Sequence, residues 1–461
     1  MVIGMRRAFL RSLVLLGSIG AAGCIDGIGP RPRPGTIDPD DKPGNGRAEF
    51  QWFETQPRVI DLGVTDSVTV NVSVSGTPRS VHLVMRSGQP IELRRVDDLY
   101  RGRLAVNNLM FGYRLGDLHQ TVAFIEISTA DSISEHRVVM NVRDETVPFI
   151  NVTAISPGIQ MSDHVLNIRY DGVAPGSPLP ASIVRTFYNS FPDDFHFIAV
   201  VEAVTSNKPM FYTAVRNNTG GIGLAPFDNG ATYGSATTLE GIIQYPNATD
   251  LDLARTDNIH EIAHRWMNYL EQPVLSPGRP HWPLSTLAHG ITGWKDPASG
   301  GRLLFPYDLT QLSNGTFAVR VTETPRLFND MELYLMGLLP PDSVQPHIVF
   351  ADQNQQSQLR DGGILRGQVD TVRIAQVIAT NGARTPAAGT AQREFKMATI
   401  VLTRGGILTR EEFAFFEHVA ARGEKTLALP FANGITRGTT QPFFLATGGR
   451  ATLSTRIRGL R

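Results

Sequence analysis

One cysteine stands among 461 residues. No intramolecular disulfide can form, and a metal site built on several cysteines is excluded. Net charge is also missing, since 43 Lys and Arg balance 43 Asp and Glu. Nucleic-acid binders usually carry a basic excess, so no nucleic-acid partner is expected. No apolar run reaches the roughly 18–20 residues of a membrane-spanning helix. Tryptophan is scarce, with four in the chain. Hydrophobic residues make up 41% and charged residues 19%. That is globular composition, and it excludes a wholly disordered or fibrous chain. The 30 prolines and 44 glycines announce many turns. At roughly 100–200 residues per domain, the length predicts two or three domains.

Arg6, Arg7 and Arg11 open the chain with positive charge, and a short apolar run follows from Leu13 to Ile19. Small residues then lead to Cys24. This order reads as a secretory signal peptide over residues 1–23. Ala21-Ala22-Gly23-Cys24 also resembles the lipobox of bacterial lipoproteins, with Ala21 where Leu is commoner. The resemblance implies cleavage before Cys24 and a lipid on its sulfur, the single expected membrane attachment. Ile25 after Cys24 resembles the sorting signal of outer-membrane lipoproteins. Residues 24–47 hold five prolines, five glycines and many charges. Such a segment buries too little apolar surface to offset its ordering entropy, so it reads as a tether.

From 48 to 147 the apolar period is two. Val68, Val70, Val72 and Val74 alternate with Thr69, Asn71 and Ser73, the pattern of a half-buried strand. Val81–Met85, Leu104–Asn107, Thr121–Ser128 and Arg137–Val142 predict further strands. Short strands at this spacing predict an antiparallel β-sandwich, immunoglobulin-like in general form, though without the cysteine pair of true immunoglobulin domains. Asp97 and Asp98 read as turn residues.

The region 148–461 mixes strand and helix patterns. Strands are expected at Ile150–Ser156, Val165–Tyr170, Phe195–Val204 and Phe211–Val215, and helices at Ala181–Phe191 and Thr409–Ala421. Acidic Glu411 and Glu412 suit the first turn of the latter. A helix is also expected from Asp250 to Glu271, capped by Thr249 or Asp250 and ended by Pro273. The order argues for an α+β domain.

That last helix holds His260-Glu261-Ile262-Ala263-His264. Residues four apart share a helical face, so both imidazoles reach one metal ion. Glu261 lies beside them as a general base for water, the HExxH arrangement of zinc peptidases. Through HEIAHRW on a helix after a mixed sheet, the chain resembles the zincin metallopeptidases. His281-Trp282 and Leu333-Tyr334-Leu335-Met336-Gly337 extend the likeness to a group of secreted bacterial zincins, over roughly residues 180–461. The resemblance implies a zinc-dependent peptidase with an edge strand above the metal. Phe211–Val215 and the stretch Gly220–Gly223 are the candidates for that strand.

A catalytic zinc takes a third protein ligand and leaves a position open. The metzincin continuation fails, because Met267 and Leu270 replace its Gly and His. His281 and Glu332 both remain open as the third ligand, with His289 behind them. If His281 is the ligand, Glu332 or Asp330 would steady an imidazole through its second nitrogen. Tyr334 is a candidate oxyanion donor, and Met336 a candidate for a place beneath the metal; the plainer reading of both is core. Trp266, Trp282 and Trp294 read equally as a cleft wall and as core.

Together these residues predict a lipid-anchored, extracytoplasmic zinc metallopeptidase acting on protein or peptide. Two alternatives stay open: a binding lipoprotein on a scaffold that no longer cleaves, and a zinc hydrolase of a non-peptide amide.

Overall fold

The computed structural model describes residues 48–461, apart from 86–88, 107–118, 144–146, 173, 209, 246–250, 255, 296–301, 304–306, 322–326, 431–438, 458–459 and 461. The signal peptide, the tether and Cys24 lie outside the described residues, as do Asn107 and the caps Thr249 and Asp250. The chain is mostly β-sheet with few helices, gathered about separate hydrophobic cores.

The alternation of valines produces the first sheet. Val68, Val70 and Val72 of strand Ser67–Ser75 point inward and are buried. Nine strands run in the order Thr205–Ser206, Glu49–Gln56, Ser67–Ser75, Leu99–Ala105, Ile91–Val96, Ser80–Met85, His119–Ser128, Ile133–Arg143 and Val59–Asp61. All neighbours are antiparallel except the last pair. Phe50 and Phe53, near one end of that order, share a core with Ile125 and Met140 near the other. The sheet therefore folds over on itself around one interior. Asp97 and Asp98 form a two-residue hairpin turn between Val96 and Leu99, with Asp97 at φ 55°. Hairpin turns of this length call for left-handed backbone, which Asp tolerates.

The second sheet is mixed. Its order is Phe211–Ala214, Gly241–Tyr245, Phe197–Glu202, Glu394–Thr403, Val165–Arg169, Ile159–Met161 and Thr153–Ser156, with Thr452–Ser454 beside the start of Glu394–Thr403. The four middle strands are parallel and the outer ones antiparallel. An α+β reading does not anticipate that parallel centre. Parallel pairs need long crossovers, so Phe197–Glu202 meets a partner almost two hundred residues later.

Both faces of this sheet are covered. Phe197, Ala199 and Val201 join one core, while Ile198 and Val200 join another. The near-continuous apolar run is thus a period-two strand buried on both sides. Helix Ala181–Ser190 covers one face through Ile183, Val184 and Phe187. The other face receives helices Thr256–Ala263 and Arg410–Ala421 through Ile259, Ile262, Phe413 and Phe416. Thr409 caps the latter helix in a capping box with Glu412.

The first sheet is fastened to the second. Glu412 accepts the Arg58 backbone N–H at 2.8 Å, and Arg58 Nη2 donates to the Arg404 carbonyl at 2.5 Å. The Phe149 ring lies between the guanidinium groups of Arg143 and Arg410, at 4.1 and 3.8 Å.

The helix expected over Asp250–Glu271 is much shorter, Thr256–Ala263. Upstream, Asp252 accepts the Ala254 N–H at 3.1 Å and pairs with Arg422 at 2.9 Å, which fixes a turn instead. Downstream, Arg265 and Trp266 make i→i−3 bonds that tighten and end the helix. Leu251, Trp266 and Leu270 are buried by tertiary packing, and their spacing imitates a helical face.

Candidate metal centre

Helix Thr256–Ala263 brings His260 and His264 to one point, with His264 just beyond its last residue. The chain then turns back through the short helix Ser276–Gly278, and the His281 N–H donates to the Gly278 carbonyl at 2.6 Å. His281 thereby joins the pair. A ligand atom from each of His260, His264 and His281 lies within 4.8 Å of the other two, and all three residues are buried. Ring centroids are 4.6 Å apart for His260–His264, 5.1 Å for His260–His281 and 5.6 Å for His264–His281.

The ring orientations fit a cation. His260 Nδ1 lies 3.1 Å from the Ile291 carbonyl, and His264 Nδ1 lies 3.3 Å from the Met267 carbonyl. Carbonyls only accept, so each Nδ1 is placed to donate its N–H, the tautomer that leaves the ring's lone pair on Nε2. The two Nε2 atoms are 3.0 Å apart. Two lone pairs at that distance repel, but a cation between them reverses the sign. Nitrogens about 2.0–2.1 Å from a tetrahedral zinc are about 3.3 Å from each other, close to this separation. Three imidazoles, those of His260 and His264 with backbone carbonyls behind them, are a donor set that zinc accepts.

Glu332 is occupied otherwise. It is fully buried at the start of helix Asp330–Met336, where it completes a capping box with Asn329. Its Oε1 accepts from Trp282 Nε1 at 3.0 Å, from the Thr292 N–H at 3.0 Å and from Thr292 Oγ1 at 2.6 Å. Its Oε2 accepts from the N–H groups of Ile291 and Asn329, each at 3.0 Å. Five donors saturate a carboxylate with about four lone-pair sites. His281, not Glu332, therefore stands with the histidine pair.

The remaining candidates fall elsewhere. His289 is exposed and its Nδ1 meets the Thr286 carbonyl. Asp330 binds His347 Nε2 at 2.7 Å and the Gln345 N–H at 2.7 Å, not a ring of the trio. Burial pushes its pKa upward, but His347 and the N–H groups of Gln345 and Met331 together outweigh this and hold it below the usual carboxylate value. The Tyr334 hydroxyl accepts the Arg384 N–H at 3.1 Å, so it serves the chain packed on its helix. Met336 is in the main core, and its carbonyl accepts from Arg384 at 2.9 Å. Trp266 and Trp282 belong to the same core, Trp266 packing on Phe197 and Phe395. The Trp294 side chain lies outside the described residues.

Of the two candidate edge segments, Phe211–Ala214 ends the second sheet, antiparallel to Gly241–Tyr245. Its Tyr212 ring lies 6.5 Å from that of His264. Gly220 instead exchanges backbone bonds with Thr385, at 2.9 and 3.1 Å.

Sequence reasoning missed Ile291, Thr292 and the buried Arg265–Glu240 pair. Only Arg265 carried a signal, as a charge inside an apolar helix pattern. No protein-family model, no curated protein and no solved structure matches the chain.

Proposed function

We propose that the protein is a zinc-dependent metallopeptidase, held outside the cytoplasm of a bacterium by lipid on Cys24, with the Ile25 signal directing it to the outer membrane. One observation carries this reading: His260 and His264 face each other through Nε2 at 3.0 Å, with His281 alongside. When bound, zinc supplies Lewis acidity toward a carbonyl oxygen and acidifies water. His260, His264 and His281 are the residues that would hold it. Glu261 takes the proton of the attacking water and hands it to the leaving amine. Phe211–Ala214 would align an extended peptide substrate. On this reading the first sheet is an immunoglobulin-like sandwich and the second region is zincin-like, a view supported by the mixed sheet, its antiparallel edge and the helix carrying HExxH.

The anchor rests on the sequence around Cys24; no helix among the described residues is long and apolar enough to cross a membrane.

A second reading, a binding lipoprotein with a structural metal, draws on the burial of all four residues: His260 and His264 are 0% exposed, Glu261 and His281 1%. Metal content and peptide hydrolysis measured on Glu261→Gln and His281→Ala separate the two. We expect Glu261→Gln to keep the metal and lose activity by about 10²–10⁴-fold, and His281→Ala to lose both. A purified chain that takes up no zinc sinks both readings. Hydrolysis that survives in Glu261→Gln sinks the first.

A further inference from the structure

Glu332 sits at the meeting point of two of the three histidine supports. The Ile291–Thr292 peptide group has its carbonyl on His260 Nδ1 at 3.1 Å and its N–H on Glu332 Oε1 at 3.0 Å. The same oxygen holds the indole N–H of Trp282, which directly follows His281. We infer that Glu332 is a positioning residue of the metal centre, acting on His260 through the Ile291–Thr292 peptide group and on His281 through Trp282. This inference rests on the reading that the trio holds a metal.

The physics is that of a carboxylate behind a metal-bound histidine, with one peptide group inserted. A negative charge on the amide N–H polarises the carbonyl at the other end of the same unit. The carbonyl then draws harder on the His260 Nδ1 proton, and Nε2 becomes a better donor to a cation. Glu332 can do this because it is fully buried and its oxygens are bonded within the protein, so solvent screens its charge little. The bond to Trp282 adds a mechanical part. His281 comes from a loop outside the HExxH helix, and the clamp on its neighbour fixes where that loop passes.

The test compares Glu332→Gln with Asn329→Ala in the full chain. Asn329→Ala breaks the other half of the same capping box and leaves the peptide relay in place. Zinc affinity is read by competition with a chelator, the geometry by the visible spectrum of the cobalt-loaded protein, and stability by Tm. Glu332→Gln should weaken zinc by about 10–100-fold and shift the cobalt bands, while Asn329→Ala stays within about threefold. Equal loss of affinity in both variants, or wild-type affinity in Glu332→Gln, overturns the inference. Should Glu332→Gln fail to fold, the unaltered chain gives the answer by nuclear magnetic resonance. Zinc loading should move the Thr292 amide resonance together with those of the His260 ring. A Thr292 amide that does not respond while the ring does overturns the relay. An unaltered chain that binds no zinc overturns the metal reading itself, a separate outcome.

Discussion

Arg265 and Glu240 form an ion pair at 3.0 Å inside the protein, directly after the ligand candidate His264. Their side chains are 2% and 8% exposed. Arg265 also donates to Asn217 Oδ1 at 2.9 Å and to Asn218 Oδ1 at 2.8 Å. One guanidinium thus ties the end of the HExxH helix to the loop that follows the edge strand. Burial pulls the Arg265 pKa down, but Glu240 with Tyr212 and Tyr269 more than restores it, so the cation is secure. Removing one partner of a buried pair leaves a bare charge, which costs about 3–5 kcal/mol. Glu240→Gln should lower stability toward that range in denaturant titration. A loss near zero would mean that the pair is solvated and does not order the loop.

Gly290 shares its space with Glu332. A methyl group at Gly290 would fall 2.4 Å from Glu332 Oε2 and 2.6 Å from Asn329 Nδ2. Overpacking of this kind costs about 1–3 kcal/mol. Gly290→Ala should therefore destabilise the fold by about that amount and weaken zinc binding, because Glu332 must move off the Ile291 and Thr292 amides. Paired Tm and chelator-competition measurements check both effects at once.

The buried cluster around His164 predicts a pH response. His164 bonds Glu417 at 2.7 Å and Glu424 at 3.3 Å. Burial lowers its pKa, but the two carboxylates outweigh burial and hold it above the ordinary histidine value. For Glu424, burial works upward, yet bonds from His164 and Arg456 bring it below the ordinary carboxylate value. A raised histidine stabilises fully below its unfolded pKa of about 6.5 and loses that contribution as pH climbs through the raised native value. A depressed glutamate stabilises above its unfolded value of about 4.3 and loses this as pH falls through the lower native one. The cluster should be strongest between those limits. Raising pH from about 6 to about 8 should lower the wild-type Tm more than that of His164→Gln. Parallel pH curves for the two proteins would exclude this role.

Much of the secondary structure was legible because alternation and helical spacing are local. The strands at Ser67–Ser75 and His119–Ser128 and the helices Ala181–Ser190 and Arg410–Ala421 follow from them within a few residues. The HExxH pair was legible for the same reason. His281 was a choice between two residues, because no local rule says where a loop returns. Glu332 looked like a ligand on paper, since two His and a Glu from a later helix make a known catalytic zinc set. Its five donors come from residues 282, 291, 292 and 329, and only folding assembles them. The helix around HExxH was overread because Leu251 and Leu270 are buried without being helical.

The short strand Thr205–Ser206 has a consequence beyond joining two sheets. It pairs with Trp52 and Phe53 at the end of the first sheet's order. An uncovered strand rich in aromatic residues invites pairing with a neighbouring molecule, the route to aggregation. By closing part of this border with its own chain, the protein turns a sticky seam inward.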